Sequence, residues 1–167
     1  MTVADEAFAD VIAENAQHAA AFSASKLDGT AARGLALLTC MDTRIDPLAM
    51  LGLRPGDAKI LRNAGARVTD DVLRTLVLAR YLLGVHRVMV IAHTKCRMAG
   101  GPESSVHEAI ANAGGPDTRS LAFLTTTDQT AAVTGDVQRI QSWPYLADLT
   151  VGGFIYDLDT GLLARIC

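Results

Sequence analysis

The chain has 167 residues, half of them hydrophobic and a fifth charged, with a net charge of −3. That length carries one well-buried domain, and the composition is that of a folded protein rather than a disordered one. An acidic balance without a basic block excludes a strong general pull toward nucleic acid, and no apolar run approaches the roughly 18 residues that span a bilayer.

The mean hydropathy of +0.24 is high for a small soluble chain and fits one that hides apolar surface in an oligomer. The opening MTVADEAFADVIAEN is acidic and lacks the positive start and apolar core of a signal peptide, so a cytoplasmic location is expected. The segment Asp5 to Phe22 reads as a helix, with Phe8, Ile12, Ala19 and Phe22 near one face. Residues 1–24 are expected to form a helical arm on a single domain of residues 1–167, placed to pack on a partner subunit.

GLALLTC, Gly34 to Cys40, is a continuous apolar run and predicts a strand covered on both faces. AKILRNAG, Ala58 to Gly65, predicts a second. Thr69 then caps a helix with Asp70 and Asp71 in its first turn and Val72, Leu76, Ala79 and Leu83 at helical spacing, stopped by Gly84. HRVMVIAH, His86 to His93, is the third strand. CRMAGGPESS is a breaker-rich loop. Glu103 to Ala113 predicts a helix with Val106, Ala109, Ile110 and Ala113 inward, ended by Gly114-Gly115-Pro116. SLAFLTT, Ser120 to Thr126, reads as a fourth strand, and Asp128 caps a further helix bearing Val133, Val137 and Ile140. The tail TVGGFIYDLDTGLLARI reads as two extended runs around a turn at Asp159-Thr160-Gly161.

Strands alternating with helices predict an α/β fold: a mainly parallel, doubly wound sheet of order 2-1-3-4, an additional C-terminal edge strand, and helices on both faces. Such a sheet binds its ligand beyond the carboxyl ends of the strands where the strand order reverses. In that order Cys40, at the end of the first strand, meets His93 and Cys96 at the end of the third. Two thiolates and an imidazole favour zinc, and three protein ligands leave a fourth position open, the pattern of catalytic sites. The competing reading is two buried cysteines and a loop histidine. Asp42 and Arg44 follow Cys40 in CMDTR and form either an oriented acid–arginine pair near the metal or a solvated loop ion pair. His18, His86 and His107 read as solvated or structural. Cys167 is the last of the three cysteines, an odd and sparse set that does not read as a disulfide framework.

With CMDTR at Cys40–Arg44, RNAGA at Arg62–Ala66, HTKC at His93–Cys96 and the ending GGFIYDLDTGLL in this order, the sequence resembles the β-class carbonic anhydrases of the short prokaryotic type, from about Gly34 to Ile166. The resemblance implies a zinc enzyme that reversibly hydrates carbon dioxide to bicarbonate by a zinc-bound hydroxide. Cys40, His93 and Cys96 match the family's zinc ligands, and Asp42 and Arg44 its aspartate–arginine dyad. In some members the aspartate turns onto zinc as a fourth ligand, giving a closed, inactive state. Ala64 and Gly65 match a small-residue segment near the substrate pocket, and Asn63 is expected to fix that loop. A homodimer or dimer of dimers is implied as well. Nucleic acid and membrane are not expected partners.

Two departures bear on substrate choice. Arg97 and Met98 stand after the second cysteine where a small residue is common, and Lys95 stands between the ligands where an acid is frequent. Hydrolysis of carbonyl sulfide or carbon disulfide on the same scaffold is the nearest alternative. A non-catalytic structural zinc domain is a further one.

Overall fold

The computed structural model describes residues 6–22 and 26–167. Its core is a five-stranded sheet of β1 (Leu35–Cys40), β2 (Ala58–Asn63), β3 (Arg87–His93), β4 (Thr150–Tyr156) and β5 (Leu163–Arg165), in the order β2-β1-β3-β4-β5. The first four are parallel and β5 returns antiparallel to β4. The helices are α1 (Ala9–Ala20), α2 (Asp70–Leu82), α3 (Glu103–Asn112) and α4 (Gln129–Gln141).

Every residue of β1 is buried, as its unbroken apolar run requires of a central strand. On one face Ala36, Leu38, Val88, Val90 and Val151 pack with Val72, Leu73, Leu76 and Ala79 of α2 and Val137 and Ile140 of α4. On the other, Leu35, Leu37 and Ile91 meet Leu53 and the half-buried Leu48, Met50 and Leu51, whose regular part is a single 3-10 turn. A leucine buried this completely is worth roughly 1.5–3 kcal/mol, so the central strands anchor whatever sits at their tips. Thr69 Oγ1 accepts from the Val72 N–H at the start of α2, and Asp128 does the same for Ala131 at the start of α4. Each cap is worth about 1 kcal/mol.

Three expectations change. Ser120 to Thr126 is not a strand: its backbone groups are taken by other partners. The Phe123 N–H donates to Glu103 Oε1 at 2.6 Å, the Leu124 carbonyl accepts from Arg67 at 2.6 Å, and the Thr126 N–H donates to the Met98 carbonyl at 2.9 Å. Leu124 has a φ of +59°, incompatible with a regular strand. The fourth place in the sheet belongs to Thr150–Tyr156. In α3, Val106, Ala109 and Ile110 are only half-buried and Ala113 lies exposed beyond its end. The N-terminal helix spans Ala9–Ala20 with every residue exposed. Residues 1–5, Asp5 among them, and 23–25 lie outside the described residues, and with them the two ends of the expected arm.

β1 leads left to β2 and β3 leads right to β4, so the chain reverses direction of winding between β1 and β3. Their pairing ends at Thr39↔Ile91. Cys40 and His93 follow just beyond it, at the carboxyl ends of the two strands where such a reversal places a ligand site.

Candidate metal centre

Cys40 ends β1 and His93 ends β3, with Cys96 three residues further on. One ligand atom from each lies within 4.8 Å of the others, and all three residues are buried. Lys95 makes this possible, since its φ of +56° turns the chain back so that Cys96 rejoins His93. A left-handed non-glycine residue costs on the order of 1 kcal/mol or more, strain typical of functional loops.

His93 is 1 % exposed. Its Nδ1 lies 2.8 Å from the Thr94 carbonyl, which can only accept, so Nδ1 carries the proton. Nε2 is then an unprotonated lone pair, buried and without a hydrogen-bond partner. Burial holds the imidazole pKa below its ordinary value and pushes the Cys96 thiol above its own. A neutral imidazole aimed beside two sulfurs is a donor set fit for zinc. The orphaned Nε2 is the observation that makes a metal the natural occupant, since a buried polar atom left unpaired is costly.

Cys40 Sγ accepts from the Gly65 N–H at 3.4 Å. That amide is presented by a tight turn at Ala64–Ala66, where Gly65 has a φ of +79° and Ala66 one of +58°. Asn63 braces the turn: its Nδ2 donates to the Arg67 carbonyl at 2.7 Å and its Oδ1 accepts from the Arg67 N–H at 2.8 Å.

Asp42 lies at the mouth, with Oδ2 at 3.8 Å from His93 Nε2. Arg44 grips both carboxylate oxygens. Its N–H and Nε donate to Oδ1 at 3.0 and 2.9 Å, and Nη2 donates to Oδ2 at 2.7 Å. These bonds hold the Asp42 carboxyl well below the usual carboxylate range and raise the guanidinium. Arg44 Nη2 also donates to the Lys95 carbonyl at 3.2 Å, tying the two ligand-bearing segments together. A cleft opens over the cluster, lined by Met41, Thr43, Ala64, Arg97 and Met98 along with Cys40, Asp42, Arg44 and Cys96.

The family profile described as carbonic anhydrase matches residues 35–163. The β-carbonic anhydrase 1 of Mycobacterium tuberculosis is 32% identical over 99% of each chain. The chain belongs to the β-class carbonic anhydrase family. A crystal structure of the carbonic anhydrase of Streptococcus mutans superposes on it with a TM-score of 0.89 and 33% identity, covering 100% of both chains. The carbon disulfide hydrolase of Saccharolobus solfataricus is 48% identical over 66 residues, which is 40% of this chain and 32% of that one.

Sequence reasoning singled out Cys40, Asp42, Arg44, His93, Cys96, Ala64 and Gly65. The structure brings the first five around one point. Ala64 lines the cleft above it, while Gly65 reaches it through its backbone N–H. Sequence reasoning gave no role to Arg62, although it stands in the quoted RNAGA motif. Its Nε donates to the Cys40 carbonyl at 3.0 Å and its Nη2 to the Asp42 carbonyl at 2.7 Å, so it braces the loop that carries both residues. Lys95 is paired with Asp159 on the surface, and Arg97 is exposed.

Proposed function

We propose that this member of the family reversibly hydrates carbon dioxide to bicarbonate, with zinc held by Cys40, His93 and Cys96. Zinc, when bound there, supplies the Lewis acidity that makes water a nucleophile near neutral pH. The reading rests above all on the ligand cluster standing beside the Arg44-held carboxylate of Asp42, 3.8 Å from His93 Nε2.

Each residue then has a task. Asp42, acceptor-only while ionised, orients the attacking water by accepting one of its hydrogens. Arg44 keeps Asp42 ionised and occupies both of its carboxylate oxygens, the arrangement of an open site. The Gly65 N–H spreads negative charge from the Cys40 sulfur, which keeps the thiolate pair from over-donating to the metal. Ala64, Met41 and Met98 offer a small, linear, uncharged substrate an apolar wall rather than a charged clamp. Arg97, exposed at the rim, suits release of an anionic product more than capture of a neutral substrate.

A cytoplasmic location is supported by three cysteines that are all free. No helix among the described residues is long and apolar enough to cross a membrane. A homodimer is supported by α1, read as an arm on the single domain, where Val11 and Ile12, with Phe8 just before the helix and Phe22 just beyond its end, stand exposed. Among the described residues each of these apolar side chains stays more than half exposed, a patch suited to a partner surface.

The second reading, carbon disulfide or carbonyl sulfide hydrolysis, is favoured by the identity to the Saccharolobus hydrolase. One purified sample decides between them. Metal analysis is expected to find about one zinc per chain, and stopped-flow assays to find rapid carbon dioxide hydration with little sulfide release. Rapid sulfide release with negligible hydration installs the second reading, and zinc without either activity installs a structural role.

A further inference from the structure

The carbonyl of His93 sits where strand pairing has run out. β1 and β3 stay in register only to Thr39↔Ile91, so β1 offers no N–H to the residue that ends β3. The next residue along, Thr94, still donates its N–H to the Tyr156 carbonyl on the β4 side at 2.9 Å. On the open side the donor comes from a helix instead. Gln129 Nε2, in the first turn of α4, donates to the His93 carbonyl at 2.8 Å.

That helix is itself fixed against the opposite wall of the site. Asp136, buried on α4, accepts from Arg67 Nε at 2.7 Å. Arg67 closes the Asn63-braced turn that presents the Gly65 N–H to Cys40. Val133, Val137 and Ile140 bury the same face of α4. The amide of Gln129 therefore projects from a rigid element, which is what orienting a ligand requires. A hydrogen bond to a backbone carbonyl holds a peptide plane, and the plane at His93–Thr94 bears on two things. It sets where the His93 ring points, and through Thr94 it sets the carbonyl that fixes the Nδ1–H tautomer.

We infer that Gln129 is a positioning residue for the metal centre, holding the His93 peptide where β1 no longer can. The inference rests on the zinc reading above. It assigns Gln129 no contact with substrate.

The test replaces the donor without changing the shape. Gln129→Glu puts two acceptor oxygens opposite the His93 carbonyl, and Gln129→Met supplies an apolar side chain of similar length should the first variant fold poorly. Gln138→Ala, on the exposed face of α4, is the control. Two measurements are made on the holoprotein: the rate of zinc release to excess chelator, and the visible absorption of the cobalt-substituted form. Release is expected to quicken about 10-fold or more in both Gln129 variants, with a shifted cobalt spectrum, while the control matches the wild type. A purely structural role would lower the melting temperature and leave the cobalt bands in place, which overturns the inference. Unchanged release in Gln129→Glu overturns it too. A wild type that takes up neither ion sinks the zinc reading along with it, whereas a wild type that binds both ions without hydrating carbon dioxide still tests Gln129 in full.

Discussion

Cys40 and His93 end neighbouring strands, but the segments that follow them are held by different kinds of contact. After Cys40 the chain is gripped by guanidinium groups: Arg62 on the carbonyls of Cys40 and Asp42, and Arg44 on the Asp42 carboxylate. After His93 it is held mainly by packing and by neutral hydrogen bonds. Thr94 bonds Tyr156 and Leu158, Gln129 bonds His93, and Cys96 is buried among Ile45, Met98 and Leu158. In the first segment the side chain beside the ligands, Asp42, is charged and reaches water; in the second the side chains at the site, His93 and Cys96, are uncharged and buried, and the charge of Lys95 is turned to Asp159 at the surface. A charged, solvated acid can orient a reactant and still exchange partners. A buried neutral histidine and a thiol suit permanent coordination. The contrast predicts that damage to the dry segment abolishes the metal, while damage to the wet one leaves the metal and slows the chemistry.

The sharpest way to break that contrast is Cys96→Ala. The variant removes one of three donors and leaves a small cavity beside Met98. Zinc content is expected to fall far below one per chain, and hydration by at least about 1000-fold, because the nucleophile depends on the metal. Metal analysis of the purified variant with a stopped-flow assay checks both. Full zinc with full activity would remove Cys96 from the ligand set.

The same contrast explains what was legible in the sequence. Asp42 and Arg44 bond across two positions, so CMDTR displays its own geometry. The contacts of the His93 segment come from 36 and 64 positions away, through Gln129 and Leu158. Nothing marks Gln129 in the chain beyond its place after a helix cap. The strand-end positions of Cys40 and His93 were readable from two apolar runs, and their meeting from the reversal of strand order. The segment Ser120–Thr126 misled for a related reason. Its apolar run, Leu121 to Leu124, is real, but its backbone partners are the side chains of Glu103 and Arg67 and the carbonyl of Met98, none of which is local. Thr150–Tyr156, with two glycines in its centre, is a less apolar run and still takes the place in the sheet. Glycine fits there because a Cβ at Gly153 would stand 2.5 Å from Val133 of α4 and 2.8 Å from Cys167 Sγ.

Arg44→Ala tests the wet segment. Zinc is expected to stay, while hydration drops roughly 10- to 100-fold as Asp42 loses its anchor and turns toward the ligand atoms, a loss within the range of a misplaced proton acceptor. The pH profile gives the sign. Asp42 has a depressed pKa when folded, so the pairing is present above the ordinary carboxylate value near 4 and is lost only as pH falls through the depressed one. Without Arg44 the largest cause of that depression is gone, and the acid limb of the rate profile should move to higher pH. A variant with unchanged rate and unchanged acid limb would leave Asp42 no role that depends on Arg44.

The smallest effect is expected where charge is nearest the ligands in sequence yet tied elsewhere in space. Lys95 lies between His93 and Cys96, but its ammonium pairs with Asp159, and both side chains are more than half exposed. An exposed pair of this kind is worth about 1 kcal/mol at most. What the site uses of Lys95 is its backbone: the left-handed φ that brings Cys96 back, and the carbonyl that accepts from Arg44. Alanine preserves the carbonyl and adds no bulk. Lys95→Ala should therefore keep its zinc, hydrate carbon dioxide within about 2-fold of the wild type, and unfold within a fraction of a kcal/mol of it. Lys95→Gly, which adopts the left-handed conformation without strain, should do the same or unfold slightly later. A large loss of rate in the alanine variant with metal intact would mean that the ammonium, and not the turn, acts on the cleft.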